Sequence, residues 1–259
     1  MSIPSVAELR TVVHPAGLLD RRSGEHWAGR LYMRRISVRI TRVLVGTRIS
    51  PNQLTYLMIL AGIAAGAALM LPGLAGPLVA AVLVQVYLLL DCVDGEVARW
   101  RRQTSVTGVY LDRVGHYLSE AALLTGAGLH AAGILDGGRL DGWAYLGVVA
   151  ALGAILIKSE TDLVDGARAR SGLPIVNDGA AVPRSSGAAS LRKVAASLNF
   201  HRLIGAVEAS LFLLAAGVAD AVRGEGLAFS RAAVAVLAAI ALLQTVLHLV
   251  SVLLSSRLR

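Results

Sequence analysis

Cysteine and charge are what this chain is short of. One cysteine, Cys92, among 259 residues excludes an internal disulfide and any cysteine-rich metal site, and leaves a small side chain packed between helices. Charged residues make up 16% against 55% apolar, and mean hydropathy is positive, a balance outside that of ordinary soluble domains. The first 50 residues carry nine arginines but no continuous apolar core, so no cleavable signal peptide is expected. No tandem repeat of the kind that builds a solenoid is visible.

What the chain has is long apolar runs. Five are apolar enough to span a bilayer: Leu54 to Leu71, Gly76 to Leu90, Tyr110 to Ala132, Trp143 to Ile157 and Ala232 to Leu254. A sixth, Leu203 to Ala221, is interrupted by Glu208 and Asp220. Ahead of them, Arg30 to Val45 reads as an interfacial helix. Tyr32, Met33, Ile36, Ile40, Val43 and Leu44 share one face, and Arg30, Arg34, Arg35, Arg39 and Arg42 the other. The expected fold is therefore all-α and integral to the membrane: six transmembrane helices preceded by an amphipathic helix. Residues 1–49 form a cytoplasmic N-terminal segment and residues 50–259 the six-helix catalytic domain.

The formal net charge of +8 does not point to nucleic acid. With six spans, twenty of the 25 Lys and Arg residues fall on flanks assigned to the cytoplasm, and the opposite loops hold only Arg139, Arg223 and Arg231. That asymmetry is the positive-inside rule, reinforced by attraction to anionic headgroups. Both termini are expected inside. Ser50 and Pro51 open the first span as cap and first-turn residue. Pro72, Gly73, Gly76 and Pro77 make an outer turn, as do Asp136 to Gly142, and Ser171 to Ser197 is the longest loop.

"DCVDGEVAR", Asp91 to Arg99, closes the second span with carboxylates that are costly in such a setting unless they serve a function. On a helix, Asp91, Asp94, Gly95, Ala98 and Arg99 share one face. On the next helix Gly108, Asp112, Gly115, His116, Ser119 and Glu120 do the same. The link between them, "RRQTS", is short, so the faces can meet near the cytoplasmic interface. Carboxylates so converged repel unless a cation neutralises them. Hard oxygen donors suit Mg²⁺ or Mn²⁺, and glycine on the same faces lets a ligand approach the backbone.

Asp91, Asp94, Gly95, Ala98, Arg99, Gly108 and Asp112 reproduce D-x2-D-G-x2-A-R-x8-G-x3-D, and in this the chain resembles the CDP-alcohol phosphotransferase family. Six spans, the amphipathic helix and "SPNQLT" at the start of the first span extend the likeness. The resemblance implies a transferase of phospholipid or related polar-lipid synthesis in a bacterial cell membrane, with its active site on the cytoplasmic side. A hydroxyl acceptor would attack the β-phosphate of a CDP-linked alcohol donor and CMP would leave. It also implies two Mg²⁺ or Mn²⁺ ions and a homodimer. Asp91, Asp94 and Asp112 would be metal ligands; Gly95, Ala98, Arg99 and Gly108 would line the cytidine diphosphate site.

The family pattern ends on a fourth aspartate, where this chain has His116. His116 is then a metal ligand with Glu120 receiving its other nitrogen, a base for the hydroxyl proton, or packing. A narrower alternative is a phosphatidyl transferase using CDP-diacylglycerol and inositol phosphate or glycerol phosphate. Outside the enzyme class stand a transporter, disfavoured because the acidic residues stop at one end, and a non-catalytic CDP-alcohol-binding membrane protein. Lys158, Asp162 and Asp165 form either a self-neutralising group or an acceptor pocket. His201 and Arg202 are an acceptor-phosphate pair or a snorkelling pair. Glu208 has no assigned partner at this level.

Overall fold

The computed structural model describes residues 4–15, 27–174, 203–224 and 226–258. The described residues are helical, and no β-strand occurs among them. The order is α1 (Val6–Val13), a wide π-type turn (Gly29–Met33) running into α2 (Arg34–Leu44), α3 (Pro51–Leu69), α4 (Ala75–Arg101), α5 (Val106–Ala131), α6 (Gly142–Arg170), α7 (Ala206–Arg223) and α8 (Ala228–Leu253). His201, Arg202 and most of the expected loop Ser171 to Ser197 lie outside the described residues.

Helix starts follow local chemistry. Ser50 Oγ accepts from the Gln53 amide at 3.2 Å while Gln53 Oε1 accepts from the Ser50 amide at 2.8 Å, a reciprocal capping box that opens α3. Asp141 Oδ1 accepts from the amides of Trp143 and Ala144 to open α6. The turn between α4 and α5 closes through Arg102 at φ 54°, and Ser105 Oγ accepts from the Gly108 amide at 3.0 Å.

Five helices, α3, α4, α5, α6 and α8, are long and apolar enough to cross a membrane; this is a membrane protein. The sixth expected span becomes α7, only 18 residues long and carrying Glu208, Asp220 and Arg223. Its three charges set it apart from the five helices apolar enough to cross a membrane. α4 and α6 instead run far past their apolar stretches, so the acidic motif is helical throughout.

The chain divides into two compact units. In the first, Met1–Ala65 with Val82–Ser119, α2 turns Ser37, Val38 and Thr41 inward, whereas Ile36 and Val43 of the expected apolar face are 41% and 66% exposed. The buried face of α2 is thus centred on small and hydroxyl side chains, with Ile40 and Leu44 packed beside Leu54, Val93 and Val97 and Ile36 and Val43 left exposed. Leu54 of α3 packs with Val93 and Val97 of α4. Gly62 lies so close to Ser119 that a Cβ would overlap its hydroxyl. In the second unit, Gly66–Ala81 with Glu120–Arg259, helices also meet at small residues: Gly66 against Gly126, Gly128 against Gly147, Gly153 against Ala241.

Candidate functional site

All seven motif positions line one cavity in the first unit, of about 330 Å³. Asp91, Asp94, Gly95, Ala98 and Arg99 come from α4, Gly108 and Asp112 from α5, with Arg34, Asn52 and Thr55 completing the wall. Helical spacing alone places the α4 residues on one face, and the four residues 102–105 return α5 alongside.

Within this site Asp91, Asp112 and His116 each offer a donor atom, all within 4.8 Å of one another. His116 Nε2 stands 3.4 Å from Asp91 Oδ1 and 3.5 Å from Asp112 Oδ1. These side chains are 26%, 43% and 30% exposed for Asp91, Asp112 and His116, so a solvated ion has access. The other ring nitrogen, Nδ1, pairs with the Tyr87 hydroxyl, and the two rings meet edge-on. Tyr87 therefore fills the place that helical spacing assigns to Glu120. Glu120 accepts from Lys158 Nζ at 2.6 Å, so Lys158 is joined to α5 across helices as well as lying one turn from Asp162.

Asp94 stands apart from that trio. It is 7% exposed, and its Oδ2 accepts from Thr55 Oγ1 at 2.6 Å. Glu96 does something else. It points about 140° around α4 from Asp91 and has no exposed surface. Its carboxylate accepts from Ser37 Oγ at 2.6 Å and Thr41 Oγ1 at 2.7 Å, and pairs with His14 Nε2 at 2.9 Å and Arg34 Nη1 at 3.5 Å. Of the three carboxylates that close the span, one faces Asp112 and His116, one leans on α3, and one ties the N-terminal helices to α4. Tyr87, Thr55 and His14 carry no motif of their own, and only the hydroxyl spacing of Ser37 and Thr41, one helical turn apart, hinted at a polar stripe.

The two glycines assigned to a ligand differ from those that pack helices. A Cβ on Gly115 would come 2.5 Å from Met58 Cε and 2.8 Å from Ile59, an overlap with core. A Cβ on Gly108 would meet only Asn52 Oδ1 and Ser105 Oγ, each at 3.3 Å, polar groups at the cavity wall. Gly108→Val is accordingly expected to weaken cytidine nucleotide binding by tenfold or so with a small change in melting temperature, and Gly115→Val to lower the melting temperature sharply. CMP titration and thermal unfolding of both variants check this; a Gly108→Val protein that is destabilised but binds normally sinks it.

Among the weaker signals, Asp220 accepts from the amides of Phe229 and Ser230 at 2.7 and 2.9 Å, capping α8. Glu208 is half-buried in the first turn of α7, where a carboxylate is favoured by the helix dipole.

A membrane helical unit whose carboxylates and arginines line one cavity, with an imidazole beside two of those carboxylates, is suited to a divalent cation together with a phosphorylated ligand. Residues 48–135 match the family model described as CDP-alcohol phosphatidyltransferase, and this stretch holds the whole Asp91, Asp112 and His116 cluster. Two curated relatives are each named "Bifunctional IPC transferase and DIPP synthase". The protein from Thermococcus kodakarensis is 31% identical over 151 residues, 57% of this chain and 32% of its own length. The one from Aquifex aeolicus is 30% identical over 156 residues, 60% of this chain and 34% of its own. The chain thus spans about a third of the length of these relatives.

Proposed function

We propose that the chain transfers a substituted phosphate from a CDP-linked alcohol to a hydroxyl acceptor and releases CMP. The observation that carries this is the convergence of all seven motif positions on one cavity, beside a three-residue cluster with hard oxygen and imidazole donors. That donor set fits Mg²⁺ or Mn²⁺. Asp91, Asp112 and His116 would hold one ion, and Asp94, oriented by Thr55, would serve a second. Bound there, the cations would neutralise phosphate oxygens and stabilise both the entering and the leaving oxygen.

The chain's own residues do the rest. Arg34 and Arg99 supply positive charge to the diphosphate. Gly95, Ala98 and Gly108 leave room for the cytidine moiety against the backbone. The acceptor oxygen forms a bond to the β-phosphorus, its proton leaves to a base, and the P–O bond to CMP breaks with the electron pair staying on CMP. Nε2 of His116 faces the carboxylates; with the ring proton on Nδ1 it would offer one lone pair, as either ligand or base. The three-donor geometry favours ligand.

The deciding experiment offers purified full-length protein a panel of CDP-alcohols, CDP-diacylglycerol included, with inositol phosphate, glycerol phosphate and other hydroxyl acceptors. CMP release that requires Mg²⁺ or Mn²⁺ is the expected result. Absence of CMP release across the panel removes the proposal. In the same assay His116→Asp is expected to shift preference from Mn²⁺ toward Mg²⁺ several-fold, because imidazole is the softer donor. An unchanged metal preference with an acid limb moved to lower pH assigns His116 as base instead. Full activity in His116→Ala denies both.

A further inference from the structure

α1 contributes nothing to the seven-position motif, yet its end is joined to the cavity wall by polar contacts. Arg99 Nε donates to the Val13 carbonyl at 2.9 Å. His14 Nε2 meets Glu96 Oε1 at 2.9 Å, and Arg34 Nη1 lies 3.5 Å from both. The start of the segment is held as well, with Arg42 Nε donating to the Pro4 carbonyl at 2.9 Å. Between these ties Leu9 and Val13 pack with Val38, and Trp100 packs against them. The two arginines so engaged, Arg34 and Arg99, both line the cavity.

Apolar packing alone would hold α1 in place without these bonds, and it would not aim a guanidinium. The Val13 carbonyl takes the Nε–H of Arg99. The terminal nitrogens then lie over Gly95, where a Cβ would come 3.1 Å from Nη1 and 3.4 Å from Nη2. Gly95 therefore leaves space for the guanidinium itself as well as for a ligand. Arg34, a second cation in the same cavity, is drawn toward Glu96, which lies on the flank of α4 turned away from Asp91. Two long, like-charged side chains would otherwise repel one another and sample many rotamers, and fixing them beforehand removes that cost from ligand binding.

We infer that residues 5–14 form a strap that sets Arg34 and Arg99 for a nucleoside diphosphate, with His14 and Glu96 as positioning residues. This rests on the nucleotide reading of the cavity given above. The strap acts through the arginines, so its effect falls on recognition of the phosphates and not on the base.

The test measures CDP and CMP affinity and the melting temperature of the full chain and its His14→Ala, His14→Gln and Glu96→Gln variants. His14→Ala is expected to lose about tenfold in CDP affinity, more than for CMP, with a melting temperature within a few degrees of wild type. His14→Gln, whose amide can donate to Glu96, is expected to recover most of the loss, and Glu96→Gln to fall between the two. Unchanged CDP affinity in His14→Ala overturns the inference. So does a loss equal for CDP and CMP that tracks melting temperature and is not rescued by glutamine, since that describes packing alone. If the wild-type chain binds neither nucleotide, the nucleotide reading itself fails and takes the strap with it.

Discussion

Asp112→Asn is expected to lower CMP release by about a thousandfold or more while leaving the metal-free protein at least as stable as wild type. The two expectations have opposite signs for one reason. Asp91 and Asp112 direct oxygens at the same imidazole nitrogen, 3.4 and 3.5 Å away, so without a cation their negative charges oppose each other. Removing one charge relieves that repulsion in the resting protein and would take a ligand from the proposed cation site. The Asp112 side chain is 43% exposed, so the isosteric amide disturbs little packing. Thermal unfolding with and without Mn²⁺ separates the effects. Ligand at a hundred times its Kd adds about 2.7 kcal/mol to a folded protein that binds it, and the variant should gain almost nothing. An Asp112→Asn protein that keeps its turnover and its Mn²⁺-dependent stabilisation would show that the cluster holds no ion.

Glu96→Ala is expected to cost about 3–5 kcal/mol of stability, the scale for breaking a buried ionic network by removing one partner. The carboxylate has no exposed surface, and its loss removes the acceptor that Ser37, Thr41, His14 and Arg34 share. Glu96→Gln keeps the volume and one acceptor oxygen. Its cost should be smaller, about 1–3 kcal/mol, because the hydroxyls can rotate to accept from the amide. Equilibrium unfolding in detergent gives both values, and a loss below about 1 kcal/mol for the alanine variant contradicts the network. Two acidic residues on facing helices are thus expected to respond in opposite ways: the 43% exposed Asp112 shares a cluster with Asp91, and the enclosed Glu96 holds the N-terminal helices.

Much of the fold was legible before any coordinates. Apolar run length is a one-dimensional property, and five of the six expected spans appear as helices long and apolar enough to cross a membrane. The exception, α7, is where charge density and length argued against each other. α4 could not be bounded from composition, because the apolar run stops at Leu90 while the helix continues to Arg101; backbone hydrogen bonding tolerates the acidic residues once their side chains have partners. The amphipathic reading located α2, and the packing added that Ser37 and Thr41 turn inward. Hydrophobicity indicates which face avoids water, and in a membrane protein lipid answers that need as well as a protein core does.

The cluster divides along the same line. Fixed angles between residues on a helix put Asp91, Asp94, Gly95, Ala98 and Arg99 on a common face, and a short link made α5 their neighbour; both are local facts that the order of residues settles. Which carboxylate meets which partner is not local. Glu96 pairs with His14 across 82 positions, Asp94 with Thr55 across 39, and His116 with Tyr87 across 29. Nothing in the spacing of one helix records how a neighbouring helix is rotated about its own axis. Segment type, helix faces and the acidic motif were therefore written along the chain. The division of labour among Asp91, Asp94 and Glu96, and the choice of Tyr87 over Glu120 beside His116, came only with the packing of helices, because burial compels each charged group to take whichever partner the fold brings within reach.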